Sequence, residues 1–200
     1  MEPLAWYRLI IPLAACMGLA VLAVVRPIPR LRFAAMGLGY LVGYAILQDQ
    51  VSARLCPEYF TVFHPPIRGL TDPTLLGIAW GFLGAWWGGV TMGYAAGLTA
   101  TLGPWPRLAP RDLVRPMLVV IVLVGIATGL TGLTVDRHAD MLDVSISPGA
   151  AADIPLERQR GLLVVSCYHF VAYASAVIAS VGLCVWVTWE RKRRSHRRES

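Results

Sequence analysis

Residues 77–97 read GIAWGFLGAWWGGVTMGYAAG, a stretch without a single charged side chain. A membrane helix needs about 20 apolar residues, so this stretch is long enough to cross a bilayer. Small residues recur in it at every fourth position: Gly77, Gly81, Ala85, Gly89, Gly93 and Gly97. Lipid is as apolar as leucine, and membrane helices therefore associate through close backbone approach at such stripes. The stretch predicts a membrane helix at about 74–101 that packs tightly on a neighbour.

The same block structure extends over the whole chain. Of its 200 residues, 56% are hydrophobic and 15% are charged, with a mean hydropathy of +0.57, whereas globular domains carry about 25% charged residues. Four further apolar blocks lie at about 4–25, 33–52, 116–135 and 161–189. We therefore predict an all-α polytopic bundle of about five transmembrane helices. One transmembrane domain would cover 1–190, with an interfacial loop at 53–73 and a basic tail at 191–200.

Two shorter small-residue pairs occur in the second and fourth apolar blocks. Gly39 precedes Gly43 by four residues, and Gly125 precedes Gly129 by the same interval. By the same argument of close backbone approach, these pairs predict further helix–helix contacts.

The distribution of basic residues predicts an orientation. With the N-terminus outside, the inner segments hold 12 Arg and Lys residues and the outer segments hold 6, whereas acidic residues divide 3 to 9. Positive charge accumulates on the cytoplasmic side of membrane proteins. The N-terminus is therefore expected outside and the C-terminus inside. Whether the first helix is a signal anchor stays open.

Polar residues in two of the predicted helices point to a shared site. The second block has only 15 apolar residues, 33–47, before Gln48 and Asp49. These span about 22 Å, so crossing the membrane draws Asp49 inward. One face of the last helix carries Ser166, His169, Tyr173 and Ser180, and one face of the second carries Tyr40, Tyr44 and Gln48. If these faces meet, His169 reaches Asp49, either as a hydrogen bond that orients the bundle or as a functional pair.

The connection after the second helix adds more chemistry-bearing residues on the same side. The candidate functional cluster comprises Asp49, Glu58, Tyr59, His64, His169 and Tyr173. A second set, Cys56, Glu58, His64 and His169, has the ligand types of a zinc or copper site, although its spacing matches no metal motif. Cys56 and Cys167 could instead form a disulfide in an oxidising outer compartment.

At this connection the chain resembles an uncharacterised family of small bacterial multi-pass integral membrane proteins. The resemblance is carried by Asp49-Gln50-Val51, Glu58-Tyr59-Phe60-Thr61, His64-Pro65, Trp80-Gly81 and Ala85-Trp86-Trp87-x-Gly89, and by His169-x3-Tyr173. It covers roughly residues 45–100 well and the rest loosely. It implies a multi-pass fold in a bacterial membrane, for which we expect the inner (cytoplasmic) membrane, and it carries no established activity or catalytic residues.

The basic run from Arg191 to Arg198 follows the last apolar block directly. In that position basic residues favour anionic lipid, by about 1 kcal/mol each, and we expect no nucleic-acid partner. Three functions remain open at this stage. The protein could be a subunit or stabiliser of a membrane complex, with a membrane-protein partner or further copies of itself. It could also be a small membrane-embedded enzyme or metal-handling protein that uses Asp49, Glu58, His64 and His169, or an oligomeric proton or solute conductor.

Overall fold

The computed structural model describes residues 3–26, 28–141 and 154–199. These residues form five long helices: α1 (Tyr7–Val25), α2 (Pro29–Leu55), α3 (Pro73–Thr101), α4 (Pro110–His138) and α5 (Leu156–Glu199). A π-helical turn at Tyr59–Phe63 and a 3-10 turn at Ala139–Met141 complete the regular structure of this part of the chain. All five long helices are long and apolar enough to cross a membrane. The predicted all-α, five-span architecture is confirmed.

The ends of the helices do not coincide with the ends of the apolar blocks. Capping residues and prolines determine where a helix begins or ends, whereas hydropathy determines where the lipid-embedded part ends. Helices α2, α3 and α4 each begin at a proline, which suits the first helical turn. The Asp72 carboxylate caps α3 by accepting a hydrogen bond from the Leu75 backbone N–H at 2.9 Å.

The basic residues that were predicted to form a separate tail continue helix α5. The connection 142–153, whose acidic residues entered the orientation argument, lies outside the described residues.

The tightest contact in the bundle joins α2 to α3 along the predicted glycine stripe. A Cβ atom on Gly81 would lie 2.6 Å from the Cα of Ile46, and one on Gly89 would lie 2.8 Å from the Cα of Leu38. Gly77 and Gly93 also lie against the α2 backbone, whereas Gly97 lies against the Phe33 side chain, whose Cβ would be 2.9 Å away. Separations below 3.0 Å leave no room for any side chain, so glycine at these positions is what allows the two backbones to touch.

The other two glycine pairs do not make such contacts, and their predicted role is wrong. A Cβ on Gly39, Gly43 or Gly129 would meet nothing within 4 Å, and one on Gly125 would meet only the ring of Tyr44, at 3.5 Å. A four-residue interval places two glycines on one face of a helix, but it does not decide whether a neighbour lies on that face.

Helices α4 and α5 pack on this pair from the side and close the end of the bundle that carries the C-terminal tail. The buried side chains there include Phe33 of α2, Met92 of α3, Met117 of α4 and Val187 of α5. Helix α1 is attached more loosely. The Arg32 side chain holds its end by donating to the Ala23 carbonyl at 3.0 Å.

Arg191 fixes the tail end of the bundle. Its side chain is 2% exposed and donates to four backbone carbonyls in and just after the last turn of α3: those of Thr99, Leu102, Trp105 and Pro106. The last carbonyls of a helix lack partners within the helix and carry partial negative charge, which a guanidinium satisfies. Beside it, Glu190 accepts from Arg193 and Arg194, each at 2.8 Å. At least these residues of the basic run hold the fold together.

The glycine stripe predicts a strong asymmetry between two substitutions of the same kind. Gly89→Leu should lower the free energy of unfolding by at least about 2 kcal/mol, because overpacking at a backbone contact forces α2 and α3 apart. Gly39→Leu should leave stability unchanged or raise it, since leucine has the better helix propensity. Thermal unfolding of both variants in the same detergent measures the difference. Equal losses in the two variants would show that the stripe does not hold the helices together.

Candidate functional site

Asp49 and His169 meet near the end of the bundle that carries residues 56–72. The Nε2 atom of His169 lies 3.2 Å from the Oδ1 atom of Asp49. Asp49 is 5% exposed and His169 is 8% exposed. Helix α5 can approach α2 here because Gly161 lies against the end of α2, where an added Cβ would be 2.6 Å from the Leu55 carbonyl oxygen.

Two residues that sequence analysis did not single out complete this centre. The hydroxyl of Ser52 lies 3.0 Å from His169 Nε2, 3.2 Å from Asp49 Oδ1 and 2.6 Å from the Tyr168 hydroxyl, and Ser52 is fully buried. Ser52 follows Asp49 by three residues on α2, so both side chains lie on one face of the helix. This spacing, and the position of Tyr168 next to His169, were visible in the sequence but are too common to point to a site.

The predicted meeting of two polar faces is correct only at one end. Tyr40 and Tyr44 donate to α4 rather than to α5, through the Val114 carbonyl at 3.3 Å and the Thr128 hydroxyl at 2.9 Å. The face of α2 is thus divided between two neighbours, and its last turn, with Asp49, is the part that meets His169.

The connection between α2 and α3 covers the centre with aromatic rings. The ring centroid of Tyr59 lies 4.8 Å from that of His169 and 4.8 Å from that of His64, and the His64 ring lies 4.7 Å from the Trp80 ring. His64 Nδ1 is 2.8 Å from the Tyr59 carbonyl oxygen. A carbonyl only accepts, so Nδ1 carries the proton. Burial lowers the pKa of His64, which favours the neutral ring.

Cys56 and Glu58 form a separate contact in this connection. The Cys56 thiol donates to Glu58 Oε2 at 3.5 Å, and burial raises the pKa of Cys56 to about 11, so the group stays a thiol at neutral pH. Cys56 and Cys167 are both unpaired. Within the described ranges, no three His, Cys, Asp or Glu side chains come together as a metal-binding group. Of the predicted cluster, the structure brings Asp49, Tyr59, His64 and His169 together and leaves Glu58 with Cys56.

The centre opens onto a long groove bounded by α2, α3 and α5, with a volume of about 1010 Å³. Asp49, His169, Gln48 and Trp80 line it at the 56–72 end, and Thr188 and Lys192 line it at the tail end. Between them its walls are almost entirely apolar. Tyr173 also lines the groove, with its hydroxyl beside Gly84, where a Cβ would lie 2.9 Å away.

Two residues that line this groove each carry a buried polar atom without a hydrogen-bond partner. They are Gln48 Oε1 and Trp80 Nε1, both of which are buried; Ser166 Oγ, elsewhere on α5, is the third such atom among the described residues. Buried polar groups in proteins are nearly always hydrogen-bonded, and an orphaned one costs about 1–3 kcal/mol. Both atoms are closed off from the groove, so their unmet hydrogen bonds lower the stability of the bundle itself.

The arrangement of Asp49, Ser52 and His169 is suited to holding a proton and unsuited to activating a serine. In a serine-hydrolase triad the serine and the carboxylate bond to opposite nitrogens of the histidine. Here both approach the same atom, Nε2, so the carboxylate cannot orient the ring for the serine. One proton shared between a carboxylate and an imidazole can serve as a general acid or base.

No protein-family model, curated protein or solved structure matches this chain. The fold itself defines the class, a multi-pass helical bundle built to span a membrane.

The pair predicts a strong coupling between two substitutions. Asp49→Asn and His169→Gln should each lower the stability of the protein. The double variant should be little less stable than either single variant, because removal of one side chain already leaves the other buried without its partner. We expect a coupling energy of about 1–3 kcal/mol in detergent unfolding. The exposed ion pair Asp136–Arg160, at 2.9 Å, is the matched control, and its Asp136→Asn and Arg160→Gln cycle should show much weaker coupling. Additive effects at Asp49 and His169 would mean that the two side chains act independently.

Proposed function

We propose that the protein is a five-span protein of a bacterial inner membrane, with its N-terminus outside, its C-terminus in the cytoplasm and the Asp49–His169 pair near the outer face. The twofold excess of basic residues in the inner segments supports this orientation. The resemblance at residues 45–100 supports the bacterial membrane. The groove then runs from the outer face to the cytoplasmic end.

The orientation is tested with reporter fusions. A reporter fused after Ser200 should be active only as a cytoplasmic protein, and one inserted after Arg68 should be active only outside, because residues 56–72 would lie on the outer side. Arg68 is exposed and lies in the turn that precedes α3. An external signal from the Ser200 fusion would reverse the proposed topology.

Within that frame, we propose that the groove binds an amphipathic molecule taken from the bilayer, with its polar end at Asp49 and His169. The observation that carries this proposal is that a buried acid–base pair lies at one end of a long apolar groove. A pair that only stabilised the bundle would need none of this space. The volume also lies at the upper end of the 300–1,000 Å³ that is typical of small-molecule sites.

The chemistry available at the site is proton transfer to or from the polar end of the bound molecule. Asp49 and His169 can accept or donate a proton there, and the aromatic cover formed by Tyr59 and His64 excludes water from the pair. The protein would then be a small membrane-embedded enzyme, or a binding protein that senses or carries this molecule.

The binding proposal predicts that a lipophilic molecule copurifies with the protein and that blocking the groove removes it. Ala176 lines the groove, so Ala176→Trp should fill it, whereas Ile178→Trp, on the same helix at a side chain that is 72% exposed and outside the groove, should not. Organic extraction and mass spectrometry of gently purified protein should find near-stoichiometric ligand in the wild type and in Ile178→Trp, and at least tenfold less in Ala176→Trp. Equal amounts in all three, or no ligand in the wild type, would contradict the proposal.

A second candidate function is a subunit or stabiliser of a membrane complex. It is favoured by the length of the groove, which extends along α5 from His169 to Lys192 and so covers about 35 Å of helix. A transmembrane helix of a partner, or of another copy of this chain, could lie along it. In that case Ala176→Trp would disrupt a crosslinked complex in the native membrane and would leave the lipid content of the purified protein unchanged.

A further inference from the structure

We propose that a second groove, between α4 and α5 at the tail end of the bundle, binds an anionic phospholipid. The Arg115 guanidinium binds the phosphate, and one acyl chain lies in the groove. This α4–α5 groove is separate from the one at Asp49 and His169, and the proposal does not depend on the function proposed for that site.

The α4–α5 groove has a volume of about 520 Å³ and walls that are mostly apolar. Pro116, Val119 and Leu123 line it on α4, and Leu183 and Trp186 line it on α5. Val119 is 55% exposed and Leu123 is 54% exposed. The groove therefore opens outward, towards the surrounding lipid, rather than into the centre of the bundle.

The length of this groove suits an acyl chain of one leaflet. Its lining residues on α4 run from Asp112 to Leu123, eleven residues apart and so about 16 Å along the helix. Half of the hydrocarbon core of a bilayer is about 15 Å thick. A transmembrane helix of a partner would extend across both leaflets and would leave the greater part of its length without a groove.

Gly182 keeps the α4–α5 groove open on the α5 side. It lines the groove, and a Cβ atom at this position would meet nothing within 4 Å. A larger side chain there would therefore occupy the groove without colliding with the protein, which makes the position suitable for a blocking substitution.

Arg115 places a positive charge at the headgroup end of the α4–α5 groove. Its side chain is exposed, and it forms no hydrogen bond or ion pair with another residue in the described part of the chain. The apolar block of α4 begins at the next residue, Pro116, so the guanidinium lies where lipid headgroups meet hydrocarbon. Arginine binds phosphate through two parallel hydrogen bonds.

The carboxylates near Arg115 do not cancel its charge. Asp112 accepts from Arg194 at 3.3 Å, and Glu190 accepts from Arg193 and Arg194, each at 2.8 Å. Two acidic side chains are thus balanced by two basic ones, and the charge of Arg115 is left over. A headgroup with a net negative charge compensates it, whereas a zwitterionic headgroup brings its own cation. This difference favours an anionic phospholipid.

The test measures lipid selectivity by native mass spectrometry of the full-length protein in detergent. Phosphatidylglycerol and phosphatidylcholine with identical acyl chains are added at equal concentrations. The wild type should retain about five times more phosphatidylglycerol, the size of one basic contact near a membrane surface. Arg115→Gln should bring the ratio close to one. Arg111→Gln removes the same charge one turn earlier, at an exposed side chain outside the groove, and should keep the wild-type ratio.

A second pair of variants tests the groove itself. Gly182→Leu should lose the selectively bound phosphatidylglycerol, because the new side chain takes the place of the acyl chain. Gly129→Leu is the matched control, since this glycine of α4 is also exposed, lies outside the groove and has nothing within 4 Å of an added Cβ. It should bind lipid like the wild type.

Three results would overturn the proposal. They are equal retention of the two lipids by the wild type, equal ratios in Arg115→Gln and Arg111→Gln, and the loss of a protein subunit rather than a lipid from Gly182→Leu. The last result would make the groove a docking site for a partner helix. If Gly182→Leu does not fold, the two arginine variants decide alone, because both side chains are exposed.

Discussion

Direct contact between the backbones of α2 and α3 determines the arrangement of the rest of the molecule. Five glycines of α3 lie where a Cβ atom would collide with α2, so the two helices run side by side at a separation that no other residue permits. In lipid, where apolar burial does not drive association, such contacts and polar hydrogen bonds are the main forces between helices. The register of α2 against α3 is set by this contact, and with it the depth at which Asp49 lies.

The site follows from that register and from the way α5 reaches it. Gly161 lets the beginning of α5 approach the end of α2, and His169, two turns further on, comes within 3.2 Å of Asp49. Beyond this level α5 leaves space against α3, and the groove lies there. A buried polar centre at one end of an apolar groove is thus a direct result of two close contacts, one along α3 and one at Gly161.

The opposite end is held by charge rather than by close packing. Arg191 serves as a partner for the carbonyls that follow α3, and Glu190 binds the next turn of α5 through Arg193 and Arg194. Arg194 also reaches Asp112 at the beginning of α4, at 3.3 Å. A basic run that is expected to face lipid headgroups therefore has a structural role too, because the end of a helix exposes unpaired carbonyls wherever it stops.

Much of the architecture could be predicted from the sequence. Apolar blocks of sufficient length specify membrane helices, and the four-residue glycine interval on α3 specifies a close contact, since both properties are local to one segment. Depth could also be predicted, because helical rise converts residue number into distance, and that argument placed Asp49 near the level of His169.

The sequence did not show which neighbouring helix each helix face packs against. Gly39 and Gly43 show the same interval as the α3 stripe yet face no helix, and Tyr44 binds α4 rather than α5. Ser52 and Tyr168 join the centre with no distinguishing pattern, and Glu58 turns to Cys56. Helical periodicity shows which residues share a face, but it does not show what lies opposite that face. Only the packing of all five helices decides which face contacts which neighbour and where a groove remains.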